Sequence, residues 1–403
     1  MRLTTAVAAA TLAMCASANA QTYHVVDLGT LGGLGGAECF ALRGTGALPI
    51  AAGFATSSNQ NFVGFASQGG GMTAIPPLSG NTQSCGFGVD GLGRVIGVSY
   101  QLGEPGVQAV RVDGATVTSL GGFAARGVNA AGDIVGSLTT TDAGTGLQVE
   151  HACIMPVGAA APADLGTLFG ALNSFGYGIN SLGMVVGMTG GTSNIGSRAA
   201  LWWQGMKIDL GTIGGNDSAA YAINDSRVAV GWSAPAGATP EARAVKFVLD
   251  STGLVQSRVN LGALPSPVAG GPTWSYAYGI NNAGLIVGQS TGRAFVHDAN
   301  GMHELNQLVP ASGGWWIVNA RAIDDGGRIA ASGVDALGRP RPLLLVPCDA
   351  DTDRSGTVTI DDLFLYFDHW FRGLISADTD RTGIVTVDDL FLFLNGWFAG
   401  CPV

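Results

Sequence analysis

The residues best placed to do chemistry are the aspartates at the C-terminal end of the chain. Residues 348–403 hold ten Asp and no Glu, against three Arg. Two segments, 351–364 and 378–391, align at a spacing of 27 residues. Each has Asp at positions 1, 3 and 12, a hydroxyl residue at position 5 and Gly at position 6. Clustered carboxylates repel one another without a cation, and loops of this pattern hold calcium through oxygen ligands. The spacing therefore predicts two calcium loops.

An apolar helical run follows each loop, at Leu363–Phe371 and Leu390–Phe398. The duplicated loop and helix resemble a dockerin, the calcium module that docks on a cohesin, and the ending Gly400–Cys401 is similar to that of the Gly-Cys-ending variety. The resemblance implies a small α-helical module with two calcium ions, docked to a cohesin-like partner or to a cell-surface protein. It implies two ligand sets: Asp351, Asp353, Ser355, Thr357 and Asp362, and then Asp378, Asp380, Thr382, Ile384 and Asp389. A calcium-stabilised cap that binds no partner is the alternative.

Residues 1–20 predict export of the chain. One basic residue, Arg2, precedes an apolar run from Ala6 to Ala18, and the segment ends in a small-x-small cleavage signal at Ala20. This is the pattern of a secretory signal peptide. The run is shorter than a transmembrane helix, and no later stretch reaches that length. We therefore expect a secreted protein, extracellular or at the cell surface, with no membrane span.

The cysteines that remain after cleavage predict disulfides, which an oxidising compartment permits. Cys348 and Cys401 bracket the acidic segment and are the preferred pair. Cys39 and Cys85 are candidates for a second pair. Because five cysteines remain, at least one thiol stays unpaired. If Cys39 pairs with Cys85, that thiol is Cys153; the sequence leaves this open.

Residues 22–347 are built from an internal repeat. The motif is Gly or Ala, an aliphatic residue, Asn or Asp, then a Gly and an aliphatic strand that ends in Gly. Its Asn or Asp stands at Asp90, Asn129, Asn180, Asn224, Asn281 and Asp324. With a degenerate copy at 41–53 there are seven copies. Four short β-rich runs in each unit of about 45 residues are typical of a propeller blade. We therefore predict a mainly β fold, a seven-bladed β-propeller over residues 21–347.

The two ends of this region predict a closed ring. The last repeat offers three strands, Ala320–Ile323, Arg328–Val334 and Pro342–Val346, and no fourth before Cys348. The segment Tyr23–Gly33 has the sequence of a closing strand without a repeat of its own. Pairing the two would complete the seventh blade and cover an open sheet edge. An open β-solenoid is the alternative, but a solenoid does not need to join its ends.

The repeats carry a second resemblance. Asp-Leu-Gly-Thr-Leu-Gly-Gly at Asp27–Gly33 is similar to Asp209–Gly215, and a His-Ala-Phe element is matched loosely at His151–Cys153 and Arg293–Phe295. With the Gly-aliphatic-Asn cores, these segments resemble the HAF-type extracellular repeat family. The resemblance implies a secreted, propeller-like protein and brings no catalytic residues with it.

No catalytic constellation stands out from the sequence. Gly288–Gly292 matches Gly-x-Ser-x-Gly, but no helix follows it, as a nucleophile elbow requires. The acids of the repeats stand at turns, where their side chains cap the local backbone. Tryptophans at Trp202–Trp203, Trp274 and Trp315–Trp316 either line a sugar-binding rim or pack between blades. A net charge of −10 argues against a nucleic-acid partner.

Together these observations predict three parts: a signal peptide at 1–20, the propeller at 21–347 and the dockerin-like module at 348–403. The predicted function is that of a secreted, non-enzymatic interaction protein. Its propeller is a binding platform, with a polysaccharide as one ligand class, and its calcium module docks to a partner. One alternative is a polysaccharide-degrading enzyme, a hydrolase or lyase, which would need two carboxylates about 5 to 10 Å apart in the propeller funnel. The other is a structural envelope or matrix protein.

Overall fold

Seven four-stranded antiparallel sheets make up most of the protein. The structure is a computed structural model that describes residues 22–44, 49–68, 71–104, 106–168, 170–190, 196–237, 241–309, 313–353, 358–379 and 384–400. Six sheets are each built from four consecutive strands, and the seventh combines the last three strands with the first. The predicted mainly β, seven-bladed propeller is confirmed.

The blades are numbered in chain order, and the first strand of each lies innermost. Blade 1 contains β2 (Gly32–Arg43), β3 (Ile50–Ser57), β4 (Phe62–Gln68) and β5 (Gly71–Ile75), and blade 2 contains β6 (Gln83–Val89), β7 (Val95–Tyr100), β8 (Val107–Asp113) and β9 (Thr116–Gly121). Blade 3 contains β10 (Ala124–Val128), β11 (Ile134–Thr141), β12 (Gln148–Met155) and β13 (Ala163–Asp164). Blade 4 contains β14 (Asn173–Ile179), β15 (Val185–Gly190), β16 (Arg198–Trp203) and β17 (Met206–Gly211). Blade 5 contains β18 (Gly214–Ile223), β19 (Val228–Pro235), β20 (Arg243–Leu249) and β21 (Val255–Asn260). Blade 6 contains β22 (Ser275–Ile280), β23 (Ile286–Ser290), β24 (Arg293–Asp298) and β25 (Gly301–Glu304). Blade 7 contains β26 (Trp316–Ile323), β27 (Ile329–Val334), β28 (Pro340–Pro347) and the N-terminal strand β1 (Tyr23–Asp27).

The chain closes the ring by pairing its two ends. Strand β1 runs antiparallel to β28, from Tyr23 opposite Pro347 to Asp27 opposite Leu343. The Tyr23 amide also donates to the Leu308 carbonyl oxygen of blade 6 at 2.8 Å. The predicted completion of the last blade by the N-terminal strand is therefore confirmed, and the open solenoid is wrong. The pairing covers an edge of β28 that would otherwise be open.

The hydrophobic core is divided into seven clusters, each between two neighbouring blades. Val186 of blade 4 packs in the cluster that contains Phe247 of blade 5. The cluster between blades 7 and 1 joins Leu344 to Phe65 and completes the ring. Because every sheet buries both faces against its neighbours, the repeats read as short aliphatic runs rather than as strands with one polar face.

The repeated Asn of blades 3 to 6 links each of these blades to the next. The Asn224 side-chain oxygen accepts from the Val228 amide at 2.9 Å and so caps its own turn. The Asn224 side-chain amide donates to the carbonyl oxygen of Asn281 in the following blade at 3.0 Å. Asn129, Asn180 and Asn281 make the same forward bond. We call this chain of bonds the asparagine belt.

In blade 7, where Asp replaces Asn, an arginine supplies the missing donor. Asp324 pairs with Arg328 at 2.7 Å, and Arg328 donates to the carbonyl oxygen of Gly44 in blade 1. Asp90 pairs with Arg94 at the same distance. A carboxylate accepts hydrogen bonds but cannot donate one. The Asp-Arg pair of blade 7 therefore carries the belt across the closure.

A β-bulge in each inner strand places one side chain of each blade in the centre of the ring, and in six blades a repeated Gly of the second strand lies at the bulge; blade 7 has Ala331 there. All seven inner strands have a β-bulge against the second strand. A Cβ on Gly187 would overlap the Phe175 carbonyl oxygen, and one on Gly136 would overlap that of Ala124. Glycine thus permits a close approach of the two strands at the bulge, and the extra residue is left outside the pairing.

Two short helices follow the propeller, α1 (Ile360–Phe371) and α2 (Val387–Ala399). They pack as a symmetric pair, in which the rings of Tyr366 and Phe393 stack with centroids 3.7 Å apart. The Trp370 indole donates to the Thr386 carbonyl oxygen, and the Trp397 indole donates to that of Thr359, both at 2.8 Å. Each helix therefore ties down the residue at the start of the other.

Replacing Asn224 by Ala should lower the free energy of unfolding by about 2 to 4 kcal/mol, because the Val228 N–H and the Asn281 carbonyl oxygen both lose their partner. Asn224→Asp keeps the acceptor but places a buried carboxylate against the Asn281 carbonyl oxygen with Val228 where the Asp blades have Arg, so it should cost at least as much. Urea unfolding followed by circular dichroism measures the three proteins, with exposed Asn300→Ala as the control. A loss in Asn224→Ala no larger than that of the control would contradict the role given to the belt.

Candidate functional site

Three carboxylates of the first acidic loop converge. One oxygen each from Asp351, Asp353 and Asp362 lies within 4.8 Å of the others. Asp351 and Asp362 are buried, whereas Asp353 is exposed. Buried carboxylates at this separation are costly unless a cation is bound between them, and an all-oxygen donor set suits calcium. These residues fit the predicted ion.

Asp362 also holds the start of α1. The Thr359 amide donates to Asp362 Oδ2 at 2.7 Å, and the Asp353 amide donates to Asp362 Oδ1 at 3.0 Å. Asp389 occupies the same place at α2, where it is fully buried and accepts from the Thr386 amide at 2.7 Å. Both helices therefore begin with a capping box, and its acid is a predicted calcium ligand.

Of the remaining predicted ligands, two are among the described residues and four are not. Asp378 is partly buried, and the side chain of Ile384 is exposed. Four others lie outside the described residues: Ser355, Thr357, Asp380 and Thr382. The two-ion site therefore stays a prediction, carried by the geometry of the first loop.

The cysteines of the propeller are free thiols. Cys39, Cys85 and Cys153 are all buried and unpaired, so the predicted pairing of Cys39 with Cys85 is wrong. Cys39 and Cys85 stand on the inner strands of different blades, and Cys39 Sγ instead contacts the Ala52 carbonyl oxygen at 3.7 Å. Burial raises the pKa of the Cys39 and Cys153 thiols to about 12. They therefore stay protonated.

The predicted disulfide between Cys348 and Cys401 has only one of its two cysteines among the described residues. Cys348 is buried, but Cys401 lies outside the described residues. The bridge between them stays a prediction, as does the signal peptide at 1–20, which also lies outside. Neither described helix is long and apolar enough to cross a membrane.

The bulges of the inner strands bring seven side chains together around the axis of the propeller. They are Phe40, Phe87, Arg126, Tyr177, Tyr221, Tyr278 and Arg321. We call this set the channel ring. Neighbouring members touch across blade boundaries, with centroid distances of 5.2 Å for Phe40 and Phe87 and 5.3 Å for Tyr177 and Tyr221. All seven side chains are partly exposed, although small residues beside them in the strands, such as Ala125, are fully buried. They therefore line an open channel.

The two arginines of the ring differ in their partners. The Arg321 guanidinium lies 4.3 Å from the ring centroid of Tyr278 and forms an ion pair with Glu38 at 3.2 Å. The Arg126 guanidinium lies 5.5 Å from the centroid of Tyr177 and has no ion pair with any described residue. The Nε atoms of both arginines are buried without a hydrogen-bond partner. The ring therefore holds an uncompensated cation at Arg126.

The tyrosines of the ring are neutral hydrogen-bonding groups. Burial raises the pKa of the Tyr177, Tyr221 and Tyr278 phenols above the usual value. The nearby guanidinium groups of Arg126 and Arg321 oppose this rise at Tyr177 and Tyr278. The three hydroxyls therefore remain protonated at neutral pH and can donate to a ligand.

The channel ring was not predicted from the sequence, although the repeat contains a signal for it. Each member stands immediately before the Gly or Ala of the motif, as in Tyr177-Gly178 and Arg126-Gly127. The position repeats while its residue type changes from blade to blade. Only the bulge explains why such a position faces the channel instead of the core.

A second group of polar residues lies at the mouth of the channel, beyond the asparagine belt. The Asn282 side-chain amide donates to Asp325 Oδ2 at 3.0 Å and to Asp225 Oδ2 at 3.4 Å. Asp225 also accepts from the Ser181 amide at 2.8 Å. These residues border a cavity of about 190 Å³. Two carboxylates thus converge on one amide at the funnel.

Other residues singled out from the sequence have structural roles. Ser290 of the Gly-x-Ser-x-Gly match is fully buried, donates to the Trp274 carbonyl oxygen and accepts from the Leu264 amide. Trp202 is buried between blades. Trp274 instead contacts Tyr276, whose ring is stacked on that of Tyr278. One of the predicted tryptophans therefore continues the aromatic surface of the channel ring.

Known proteins resemble the chain in fold alone. No family model matches it, and no curated protein matches it, so the resemblances to HAF repeats and dockerins stay predictions. The acylaminoacyl peptidase of Pyrococcus horikoshii is 11% identical over 77% of this chain and 51% of its own, with a TM-score of 0.46. A gluconolactonase of Xanthomonas campestris is 11% identical over 81% and 91%, with a TM-score of 0.39. The GH93 α-L-arabinofuranosidase of Fusarium graminearum is 10% identical over 68% and 96%, with a TM-score of 0.37.

These neighbours correct one prediction. The chain spans about half the length of the peptidases it matches. The structures that the chain resembles include peptidases and a glycoside hydrolase. The prediction that the protein is not an enzyme is therefore wrong, because this fold does not exclude an enzyme. At such low identity the likeness shows the fold and assigns no activity.

Asp353→Asn should weaken calcium binding at least about tenfold, because it removes one of three converging carboxylates while leaving both capping boxes intact. Calorimetric titration of calcium measures the affinity, and the fluorescence of Trp370 and Trp397 reports ordering of the helix pair. Asp361→Asn, at an exposed carboxylate of α1 outside the cluster, is the matched control. Equal affinity in the two variants would remove Asp353 from the site.

Proposed function

We propose that the protein is a secreted binding protein with two working surfaces. Its propeller channel takes up a ligand, and its C-terminal helix pair attaches the chain to a cohesin-like or cell-surface protein in a calcium-dependent manner. Two calcium ions would order the acidic loops, and the ordered loops would hold the two helices in the geometry that the partner binds.

The observation that carries this proposal is a pair of matching apolar faces on α1 and α2. Phe364 and Phe371 on α1 are 66% and 77% exposed, and their equivalents Phe391 and Phe398 on α2 are 60% and 77% exposed. Large exposed aromatic side chains in a repeated arrangement are typical of a protein–protein contact. The internal face of the pair is already filled by the stack of Tyr366 and Phe393 and their neighbours. The exposed rings are thus not needed for its core.

The positions of the acidic residues support the proposed calcium dependence. Asp362 and Asp389 are at once predicted ligands and the capping acids of the two helices. A small module with little core gains much of its stability from a bound metal. Removal of calcium is therefore expected to loosen both helix starts and with them both apolar faces.

The double variant Phe364→Ser/Phe391→Ser should lose the partner that the unaltered chain captures from envelope and secreted fractions in calcium. The reason is the loss of exposed apolar area at both faces, with the inner stack untouched. The measurement is a pull-down with mass spectrometry, run in calcium and in chelator. Leu337→Ser, at an exposed apolar residue of the propeller, is the control. Capture that survives in the double variant or in chelator would contradict docking through these helices.

A second candidate function is that of a polysaccharide-active enzyme. The convergence of Asp225 and Asp325 on the amide of Asn282 at the channel mouth supports it. Their two Oδ2 oxygens lie 3.4 and 3.0 Å from the same nitrogen, so they are at most 6.4 Å apart, and retaining glycoside hydrolases hold their two carboxyl groups roughly 5 to 5.5 Å apart.

If these carboxylates act as an acid pair, Asp225→Asn and Asp325→Asn should each reduce release of reducing sugar from a polysaccharide panel at least about a hundredfold. Asp113→Asn, at an exposed aspartate of blade 2, should leave the rate unchanged. A panel on which the unaltered chain releases no sugar would remove this candidate.

A further inference from the structure

We infer that the channel ring binds an acidic sugar unit, with its carboxylate on Arg126 and its ring against the aromatic side chains. This inference deepens the ligand-binding half of the proposed function and rests on it. It does not depend on the C-terminal module.

The charge of the ring favours an anionic ligand at Arg126. A partly buried guanidinium with a buried, unpartnered Nε is costly to maintain without an acceptor. The charge of Arg321 is paired with Glu38, 3.2 Å from its Nη2, although its Nε has no partner either. Arg126 has no ion pair with a described residue and lies beside the faces of Phe175 and Tyr177. A carboxylate matches the planar fork of a guanidinium with two parallel hydrogen bonds. Arg126 is therefore the anchor for an acid group.

The aromatic side chains favour a ligand with flat apolar faces. Phe175 is stacked on Tyr177 at 6.4 Å, and Tyr276 is stacked on Tyr278 at 6.2 Å. The aromatic lining is therefore two side chains deep on opposite flanks of blade 5. Sugar rings present C–H faces of this size, and small-ligand sites are lined mainly by aromatic groups with a few placed polar ones.

The phenol groups favour a sugar over a simple aromatic acid. Tyr177, Tyr221 and Tyr278 occupy three consecutive blades and bring three neutral hydroxyls to one side of the channel. A sugar offers hydroxyl oxygens to such donors, whereas an aromatic carboxylate has no acceptor besides its acid group. Phe40 and Phe87 leave the other side apolar. The ring therefore presents a polar half and an apolar half.

The acids of the channel mouth do not share this site. Along each inner strand a small residue and an aliphatic one, such as Val128 after Arg126, separate the ring from the asparagine belt. Asp225 and Asp325 lie beyond the belt. An anionic group held at Arg126 is thereby separated from both carboxylates by an aliphatic layer.

Calorimetry on the full chain tests the inference with uronate trimers of galacturonate, mannuronate and guluronate, each compared with its methyl ester. Esterification removes the charge and keeps the sugar. At least one trimer should bind at least about tenfold more tightly than its ester. All titrations are made in chelator, so that neither the C-terminal module nor calcium bridging contributes.

Arg126→Gln should abolish the preference for the acid over the ester, and Phe87→Leu should weaken both forms while keeping the preference. Arg339→Gln, at an exposed arginine paired with Asp335 outside the channel, should change neither affinity. Circular dichroism checks that each variant folds. The comparison of acid with ester on the unaltered chain stands even if Arg126→Gln does not fold.

Four results would overturn the inference: no binding of any trimer, equal binding of acid and ester, a preference that survives in Arg126→Gln, or benzoate binding as tightly as the best trimer. Loss of calcium-dependent partner capture with normal trimer binding would instead contradict the docking half of the proposed function. The two failures are thus distinguishable.

Discussion

The close contact between the first two strands of each blade is the constraint on which the rest of the propeller depends. In six blades the carbonyl of the inner strand fits against a Gly of the second strand, as at Gly187 opposite Phe175, and blade 7 has Ala331 at this place. The bulge that results shifts the register of the inner strand by one residue. The following aliphatic residue and Asn then reach the neighbouring blade. Without the bulge, the side chain of Asn180 would face another direction and could not donate to Asn224.

The same bulge separates stability from recognition. The Asn of the repeat, such as Asn224, can hardly be replaced by another residue type. Its side-chain oxygen caps a turn, and its side-chain amide bonds to the next blade. The bulged residue makes no such structural bonds, because it is outside the strand pairing and outside the cores between blades. It can therefore be Phe, Tyr or Arg without loss of the fold. A propeller built in this way acquires a ring of seven side chains that are free to form a site.

The C-terminal helix pair joins folding and metal binding in one set of residues. Asp362 completes the cap of α1 and belongs to the carboxylate cluster with Asp351. Asp351 in turn accepts a hydrogen bond of 2.6 Å from Thr22, the residue before the closing strand β1, and the Cys348 amide donates to the Thr22 carbonyl oxygen. The loop is thus anchored to the point where the propeller closes. A change at this loop is felt at both parts of the molecule.

The sequence by itself determined the repeat, the number of blades and the closure by Tyr23–Asp27, because Gly, Asn and aliphatic residues in a recurring motif report local turns and strand ends. It also determined the positions of the acidic loops. It did not reveal the channel ring, since the direction of Arg126 or Tyr221 depends on a bulge made by two strands together. Nor could it decide that Cys39 and Cys85 stay apart, or that Asp225 and Asp325 meet at Asn282. These facts depend on contacts between blades that lie about 45 residues or more apart in the chain, and only the closed ring brings such residues together.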